Sequence, residues 1–207
     1  MYIPESFKEA NPERLGALIK DYSFGMLITA PEGIPFVTHL PFLLDPSAGK
    51  HGKLLGHIAR ANPQWRHFAS GTEVLAVFQG PHAYISPSWY LSPNVPTWNY
   101  AVAHVRGIPR LIEDPAELDA LLERLTQYHE SQMPSPYQSG LADEQRAKLL
   151  DMIVGFEIEI TELQGKFKLS QNRSQEEQRS VIDGLNQSNN PLASAVAKLM
   201  SEPQSLG

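Results

Sequence analysis

The sequence predicts an α+β protein whose core is mainly β, an antiparallel sheet or barrel with helices around it. Short apolar or alternating segments follow one another through the first half of the chain, and Gly or Pro stands at each junction. Turn signals at such close spacing are typical of antiparallel sheets and barrels. With 207 residues, of which 42% are hydrophobic, the chain is long enough to bury the core of one large domain.

The predicted helix starts share one sequence motif, in which an Asn or Asp that caps the helix is followed by Pro at the first helical position. The four pairs are Asn11-Pro12, Asn62-Pro63, Asp114-Pro115 and Asn190-Pro191. Apolar residues at helical spacing follow these pairs. They predict stripes that face a core rather than stripes that bind a cofactor.

Strands fill the region between the first and third of these helix starts. Six segments run apolar or alternate there: 24–29, 36–44, 53–60, 74–79, 83–86 and 100–112. A long helix at 115–131 and a helix near 143–150 then interrupt the sheet, and a strand at 152–163 rejoins it. The pattern therefore predicts helices inserted into a continuous sheet.

The expected domain organisation follows from this order of elements. We expect one sheet domain over residues 1–185, with inserted helices over 114–150. The segment 186–207 is rich in Asn, Ser and Gln, and it is predicted to be a helical or mobile tail.

The stretch at 165–173 tells most about function. Phe167 and Leu169 continue the strand's alternation inward, which directs Lys166 and Lys168 together to the opposite side. The candidate anion-binding residues are Lys166, Lys168, Ser170, Gln171, Asn172 and Arg173. Arg offers a planar fork suited to phosphate, and Lys supplies a compact charge. The alternative interpretation is a solvated loop that leads into a capped helix.

A second segment places Trp98, Asn99 and Tyr100 in a row after a proline. Trp and Tyr offer stacking faces with a polar tip, and Asn presents a donor and an acceptor. These residues suit a flat aromatic ligand with a heteroatom edge, such as a flavin. The alternative is a Trp that anchors the edge of the sheet.

Composition argues against several kinds of partner. The formal net charge is −6, whereas a DNA-binding domain normally presents a basic face, so we expect direct DNA binding to be weak or indirect. The absence of cysteine excludes disulfides and thiolate metal sites. The seven histidines show no pair at metal-ligand spacing, so no metal site is predicted.

Other motifs are missing as well. No run approaches the roughly 18 apolar residues of a membrane-spanning helix, and the N-terminus lacks the basic and apolar regions of a signal peptide. We therefore expect a cytoplasmic protein with no membrane contact. The sequence contains no Gly-x-Gly-x-x-Gly, Walker loop or Gly-x-Ser-x-Gly, so dinucleotide, P-loop and serine-hydrolase hypotheses have no local support.

Segments along nearly the whole chain carry a likeness to a known family. They are 1–4, 38–42, 56–65, 77–90, 95–100, 105–107 and 165–173. In these segments the chain resembles the PaiB family, bacterial proteins described as FMN-binding, negative transcriptional regulators with a split β-barrel fold. The stretch 91–94 departs from the family, since it is short and lacks the lysines expected there. The resemblance implies an FMN cofactor, a split barrel with peripheral helices, and a homodimer.

An FMN phosphate requires cations and backbone N–H groups, and the junction at Arg60 and Asn62 is a second candidate for both. A strand ends there and a helix N-terminus begins. The alternative is that Asn62 is only a helix cap and Arg60 only a surface charge. Split barrels of this kind usually hold FMN at a dimer interface, so this junction and the corner at 165–173 are candidates to serve one flavin from different subunits.

Three further residues are candidates for the flavin ring. His39 and His57 lie on separate predicted strands and are candidates to line the isoalloxazine pocket, although lone histidines on half-buried strands are more often core residues. Gln79 ends an apolar strand and is a candidate hydrogen-bond partner of the ring. It equally suits a role in ending the strand.

Two other functions share this architecture. Pyridoxamine-phosphate oxidases and flavin reductases have the same barrel, which makes a flavin-dependent oxidoreductase acting on a small molecule the first alternative. The second is a haem-handling protein, which would need His39, His57 or His104 as an axial ligand. No helix pair with a tight Gly-containing turn is evident, so a helix-turn-helix has no support.

Overall fold

The structure is a computed structural model of the chain, and it describes residues 1–131, 133–137 and 139–202. The chain forms two compact units. The first unit comprises residues 1–22, 77–104 and the chain from 164 onward, and the second comprises 23–76 and 105–163.

Eight strands and five α-helices make up the described chain. The strands are β1 (Lys8–Glu9), β2 (Phe24–Thr29), β3 (Phe36–Pro41), β4 (Leu43–Asp45), β5 (Lys53–Ala59), β6 (Val74–Ile85), β7 (Thr97–Ile112) and β8 (Ile153–Lys168). The helices are α1 (Pro12–Asp21), α2 (Pro115–Glu130), α3 (Asp143–Leu150), α4 (Gln175–Asn186) and α5 (Pro191–Ser201). Short 3₁₀ helices lie at Glu5–Phe7, Pro63–Ser70 and Pro87–Trp89.

The strands follow the order β3-β2-β6-β7-β8-β5-β4, and β1 pairs with the end of β8. The pairings of β2 with β3, of β4 with β5 and of β5 with β8 are antiparallel. The predicted class, a mainly antiparallel sheet with helices around it, is therefore confirmed. Among the described residues, no helix is long and apolar enough to cross a membrane.

The predicted helix caps form at all four positions. The side chain of Asn11 accepts a hydrogen bond from the backbone N–H of Glu13, and Asp114 accepts one from Ala116. Asn190 caps α5 in the same way, while Asn62 caps the 3₁₀ helix at Pro63–Ser70. Each cap satisfies a backbone N–H that would otherwise have no partner, so the helix starts were readable from sequence.

The strands differ from the prediction at glycines that were expected to end a strand. The predicted strands 74–79 and 83–86 are one strand, β6, because Gly80 continues it. A Cβ at Gly80 would press on the Leu18 side chain and the Ala101 carbonyl, so this glycine permits close packing. Similarly, β8 runs on through Gly165 to Lys168, and the missing side chain at Gly165 leaves room for Leu15 and the Glu9 backbone.

Each unit has its own buried side chains. In the second unit, Leu118, Leu121 and Leu125 of α2 pack with Leu55 and Ile112. In the first unit, α4 and α5 bury one face each; their buried residues include Val181, Leu185, Val196 and Met200. The segment predicted as a helical or mobile tail thus contains α5, while residues 203–207 lie outside the described chain. The predicted division at 185 stays a prediction.

Candidate functional site

The end of β8 gathers two lysines on one face. Lys168 is half-buried, and its Nζ donates hydrogen bonds to Thr97 Oγ1 at 2.6 Å and to the Trp98 carbonyl at 2.7 Å. Lys166 donates to the Tyr2 carbonyl, and its Nζ lies 5.5 Å from the centroid of the Tyr100 ring. The period-two alternation of a strand causes this arrangement, as predicted.

Arg173 joins these lysines from the turn that follows β8. Its Nη2 donates to Asn94 Oδ1 at 3.0 Å, and the guanidinium lies 5.1 Å from the Tyr90 ring centroid. Within the described chain, no carboxylate forms an ion pair with Lys166, Lys168 or Arg173. We call these three cations the basic corner.

The basic corner brings positive charges close to a half-buried lysine, which is unfavourable for the protonated form of that lysine. Burial lowers the pKa of Lys168 below the ordinary lysine value, and the positive charges of Lys166 and Arg173 lower it further. A bound anion would offset the repulsion and the lost hydration, so it would stabilise the protonated lysine. A group of cations with no carboxylate partner in the described chain is a candidate anion-binding site.

The turn behind the basic corner is held by its own polar side chains. Ser170 is buried and adopts a φ of 64°, a conformation uncommon for a residue other than glycine. The Gln171 side chain accepts a hydrogen bond from the Leu169 N–H and donates one to the Phe167 carbonyl. Asn172 is exposed at the turn. As direct cofactor contacts these residues stay predictions, and their observed hydrogen bonds shape the turn.

The aromatic segment lies beside the basic corner on β7. Trp98 is 52% exposed, and its ring centroid lies 6.0 Å from that of His82. Gln79 reaches the same place, since its Nε2 lies 3.4 Å from His82 Nδ1. Asn99 points the other way and is fully buried, with its amide donating to Ser170 Oγ at 2.9 Å. It therefore supports the turn from beneath, and a direct flavin contact by Asn99 stays a prediction.

The second predicted anion site, at Arg60 and Asn62, lies in the second unit. Arg60 Nε donates to the Asp151 carbonyl at 2.6 Å, and its Nη2 donates to the Ile153 carbonyl at 2.9 Å. Asn62 caps the following 3₁₀ helix with its Oδ1, and its Nδ2 donates to Thr38 Oγ1. The cation and the amide are thus engaged inside the unit, and their contact with phosphate stays a prediction.

The two predicted histidines lie on different strands of the second unit. His39 is exposed on β3 and stacks on Phe24, with ring centroids 6.3 Å apart. His57 is half-buried on β5, and burial lowers its pKa below the ordinary histidine value. Among the described residues, its buried Nδ1 has no hydrogen-bond partner.

Sequence reasoning missed several neighbours of the basic corner. Tyr2, Tyr90 and Asn94 contact its cations, and Thr97 binds Lys168. Asn94 and Tyr90 lie between the 3₁₀ helix at Pro87–Trp89 and β7, so their approach to Arg173 depends on tertiary structure. In the described chain, no group of three or more His, Asp or Glu side chains is placed to hold a metal ion.

Two solved structures share this fold at low sequence identity. The FAD and haem binding protein from Mycobacterium smegmatis has a TM-score of 0.60 and 16% identity, over 78% of this chain and 73% of its own. The flavocytochrome Anf3 from Azotobacter vinelandii has a TM-score of 0.60 and 15% identity, over 78% of this chain and 69% of its own. At such identities the likeness shows the fold alone, which is the split β-barrel found in flavin-binding proteins.

Sequence comparisons define the family. Residues 1–162 match the model described as "Putative FMN-binding domain". The "Protease synthase and sporulation protein PAI 2" of Bacillus subtilis is 41% identical over 206 residues, which are 98% of this chain and 97% of the relative. The chain therefore belongs to the PaiB family of FMN-binding proteins. The predicted fold class and the predicted cofactor, FMN, are confirmed at the level of the family.

Proposed function

We propose that the basic corner binds the FMN phosphate and that Trp98 contacts the isoalloxazine ring. The observation that carries this proposal is the hydrogen bond from Lys168 to the Trp98 carbonyl at 2.7 Å, which joins a cation to an exposed aromatic residue. A phosphate monoester bears about −1.5 to −2 charges at neutral pH. On a chain of net charge −6, such a group needs a local cluster of cations.

The residues present fit the chemistry of FMN. Lys166 and Lys168 each have an ammonium with three donors, and Arg173 has a guanidinium with five. The protein bonds described above use only part of this capacity. FMN supplies redox-active isoalloxazine chemistry when bound, and this chain supplies the charge and the aromatic face that hold it.

Comparison of FMN with riboflavin tests this placement, because riboflavin lacks the phosphate. We expect fluorescence titration of the purified protein to show tighter binding of FMN than of riboflavin by at least tenfold, since each charge-assisted bond contributes about 1.5–3 kcal/mol. Equal affinities would contradict the proposal. A visible spectrum with a haem Soret band in place of flavin bands would instead support the haem-handling alternative.

We propose that the protein is a homodimer that associates through the outer face of the β2–β3 hairpin. Two apolar side chains stand exposed there, Phe24 at 66% and Val37 at 43%, and the pairing of β2 with β3 directs both to the same face. Exposed apolar side chains on one face of a hairpin favour association, and homo-oligomers are most often two-fold dimers. In such a dimer, the Arg60 junction of one protomer and the basic corner of its partner are proposed to serve one flavin, with the corner contributing the larger share.

Light scattering tests the dimer. We expect a mass of twice the 23.0 kDa of the chain at micromolar concentration, and we expect Val37→Glu to yield the single-chain mass while the fold is kept. An exposed-residue control of the same charge change, Ile34→Glu in the turn before β3, should leave the dimer intact. A single-chain mass for the wild-type protein would contradict the proposal.

We propose a regulatory role in the cytoplasm, as a negative regulator of transcription that acts indirectly. The B. subtilis relative is named for protease synthesis and sporulation, which supports regulation. The net charge of −6 argues against strong direct contact with DNA. We expect fluorescence anisotropy at ~150 mM salt to give dissociation constants no better than about 10⁻⁴–10⁻⁶ M for any duplex. Nanomolar, sequence-selective binding by the pure protein would overturn the indirect mode of action.

A further inference from the structure

A cavity of about 830 Å³ lies within the second unit, and none of its lining residues belongs to the basic corner. Strand β5 contributes His57, helix α2 contributes Leu122 and Thr126, and the end of α3 contributes Leu149. Pockets that bind small molecules have volumes of roughly 300–1,000 Å³ and mainly apolar walls. The cavity has the size and the composition of such a site.

Apolar side chains at this cavity remain in contact with water. Met152 is 65% exposed, Tyr137 is 57% exposed and Leu149 is 51% exposed, and all three line the cavity. Exposed apolar side chains that cluster around a concavity mark a binding site more often than scattered ones do. They would gain most from an apolar occupant, because its contact would remove them from water.

His57, which lines the wall, has a side-chain nitrogen that lacks a partner in the described chain. His57 Nδ1 is buried without a hydrogen bond in the described chain, although buried polar groups are normally paired. Burial lowers the pKa of His57, which favours the neutral imidazole with one donor and one acceptor nitrogen. A hydroxyl or an N–H of a ligand would satisfy this nitrogen once binding turns the imidazole toward the cavity.

The charges at the cavity do not favour an anion. Arg146 lines the wall, but it is paired with Asp119, and the remaining charged lining residue is the carboxylate of Glu123. A phosphate or carboxylate here would find no free cation among the described lining residues. This composition separates the cavity from the basic corner.

We propose that this cavity binds a neutral, mainly aromatic or aliphatic small molecule whose single hydrogen-bonding group meets Nδ1 of His57. The site is additional to the FMN site and does not depend on it. A second small molecule bound by a chain of this flavin-binding family would be a substrate or an effector of the protein.

Equilibrium dialysis of FMN-saturated protein against 4-phenylphenol tests the proposal. We expect one molecule bound per chain, and we expect Leu122→Trp and Thr126→Trp, which fill the cavity, each to weaken binding at least tenfold. Leu192→Trp adds the same side chain at an exposed position of α5 in the first unit, and it should bind the probe as the wild type does. FMN affinity should be unchanged in all three variants.

A second probe tests the role of His57. In 4-methylbiphenyl a methyl group replaces the hydroxyl, so the wild type should bind it about fivefold to tenfold more weakly, and His57→Leu should abolish that preference. Undiminished binding of 4-phenylphenol to both Trp variants on α2 would overturn the proposal, since the probe would then bind elsewhere. Loss of FMN binding in those variants would also overturn it, because the cavity would then belong to the flavin site.

Discussion

The two turns predicted to bind an anion use their cations differently. In the basic corner, three cations from β8 and the following turn converge without a carboxylate partner in the described chain, and burial together with the neighbouring charges lowers the pKa of Lys168. At the other turn, the single cation Arg60 donates to the carbonyls of Asp151 and Ile153. The cations of the basic corner therefore have more free capacity to bind an anion than Arg60 has.

Removal of two charges from the basic corner should have the largest effect. The double variant Lys168→Gln, Arg173→Gln keeps polar side chains but removes two charge-assisted bonds to phosphate, each contributing about 1.5–3 kcal/mol. We expect the FMN dissociation constant to rise roughly 100-fold by fluorescence titration. Arg179→Gln, an exposed cation on α4, is the matched control and should change it by less than about twofold. Wild-type affinity in the double variant would refute the assignment.

Alkaline pH should have the second-largest effect, and it should show whether the basic corner or the Arg60 turn binds the FMN phosphate. Because burial and the neighbouring cations lower the pKa of Lys168, this lysine loses its proton at a lower pH than an ordinary lysine does. FMN affinity should therefore fall by about tenfold as pH rises through that depressed value, one charge-assisted bond being lost. Lys168→Arg should keep its affinity over the same range, since guanidinium does not titrate there. A flat profile for the wild-type protein would assign the phosphate to an arginine such as Arg60.

Loss of the amide beneath the basic corner should weaken the turn. Asn99→Ala leaves Ser170 Oγ buried without its 2.9 Å partner, which costs about 1–3 kcal/mol of unfolding free energy. Since the turn positions Arg173, we also expect a loss of about threefold in FMN affinity. Chemical denaturation and flavin titration of one preparation measure both effects. Unchanged stability would show that Asn99 does not support the turn.

Arg60→Ala should affect stability more than flavin affinity. The variant removes the two hydrogen bonds to backbone carbonyls, and we expect a decrease of roughly 1 kcal/mol in the free energy of unfolding. FMN affinity should fall by about threefold or less, because the corner contributes most of the phosphate binding. A larger loss of FMN affinity in Arg60→Ala than in the double variant of the basic corner would contradict this expectation. It would favour the Arg60 turn as the phosphate site.

The smallest effect concerns His57 in the second unit. Its folded-state pKa is lowered by burial, so the unfolded chain takes up the proton first as pH falls. The stability that His57 contributes is present above the ordinary histidine pKa, about 6.5, and is lost as pH falls through the lowered value. His57→Gln should therefore lose less stability than the wild type on acidification to about pH 5.5, measured by denaturant unfolding. Parallel pH profiles would contradict this.

Much of the fold was predictable because its signals are local. Caps such as Asn11 and Asp114 satisfy N–H groups two residues away, and the alternation in β8 directs Lys166 and Lys168 to one face. Alternation along β7 likewise implies that the Asn99 side chain points away from those of Trp98 and Tyr100. This signal was easy to overlook because the three residues are consecutive. Glycines that permit close packing, such as Gly80, resemble turn glycines in a single sequence.

The partners of the site residues could not be predicted. Arg60 donates to carbonyls 91 and 93 residues away in sequence, and Lys166 donates to the carbonyl of Tyr2, 164 residues away. No periodicity encodes such distances, since they depend on which strands become neighbours. The sequence also could not show that Nδ1 of His57 lacks a partner among the described residues, because only the folded chain shows which groups are paired.

The ratio of FMN to riboflavin affinity tests the central claim most directly, because it isolates the contribution of the phosphate. It should be measured at one salt concentration for three proteins. They are the wild type, the double variant Lys168→Gln, Arg173→Gln, and the variant Arg60→Ala. We expect the preference for FMN to vanish in the corner variant and to persist in Arg60→Ala, while riboflavin affinity stays constant in both. A preference that persists in the corner variant and vanishes in Arg60→Ala would contradict the account and place the phosphate at the Arg60 junction.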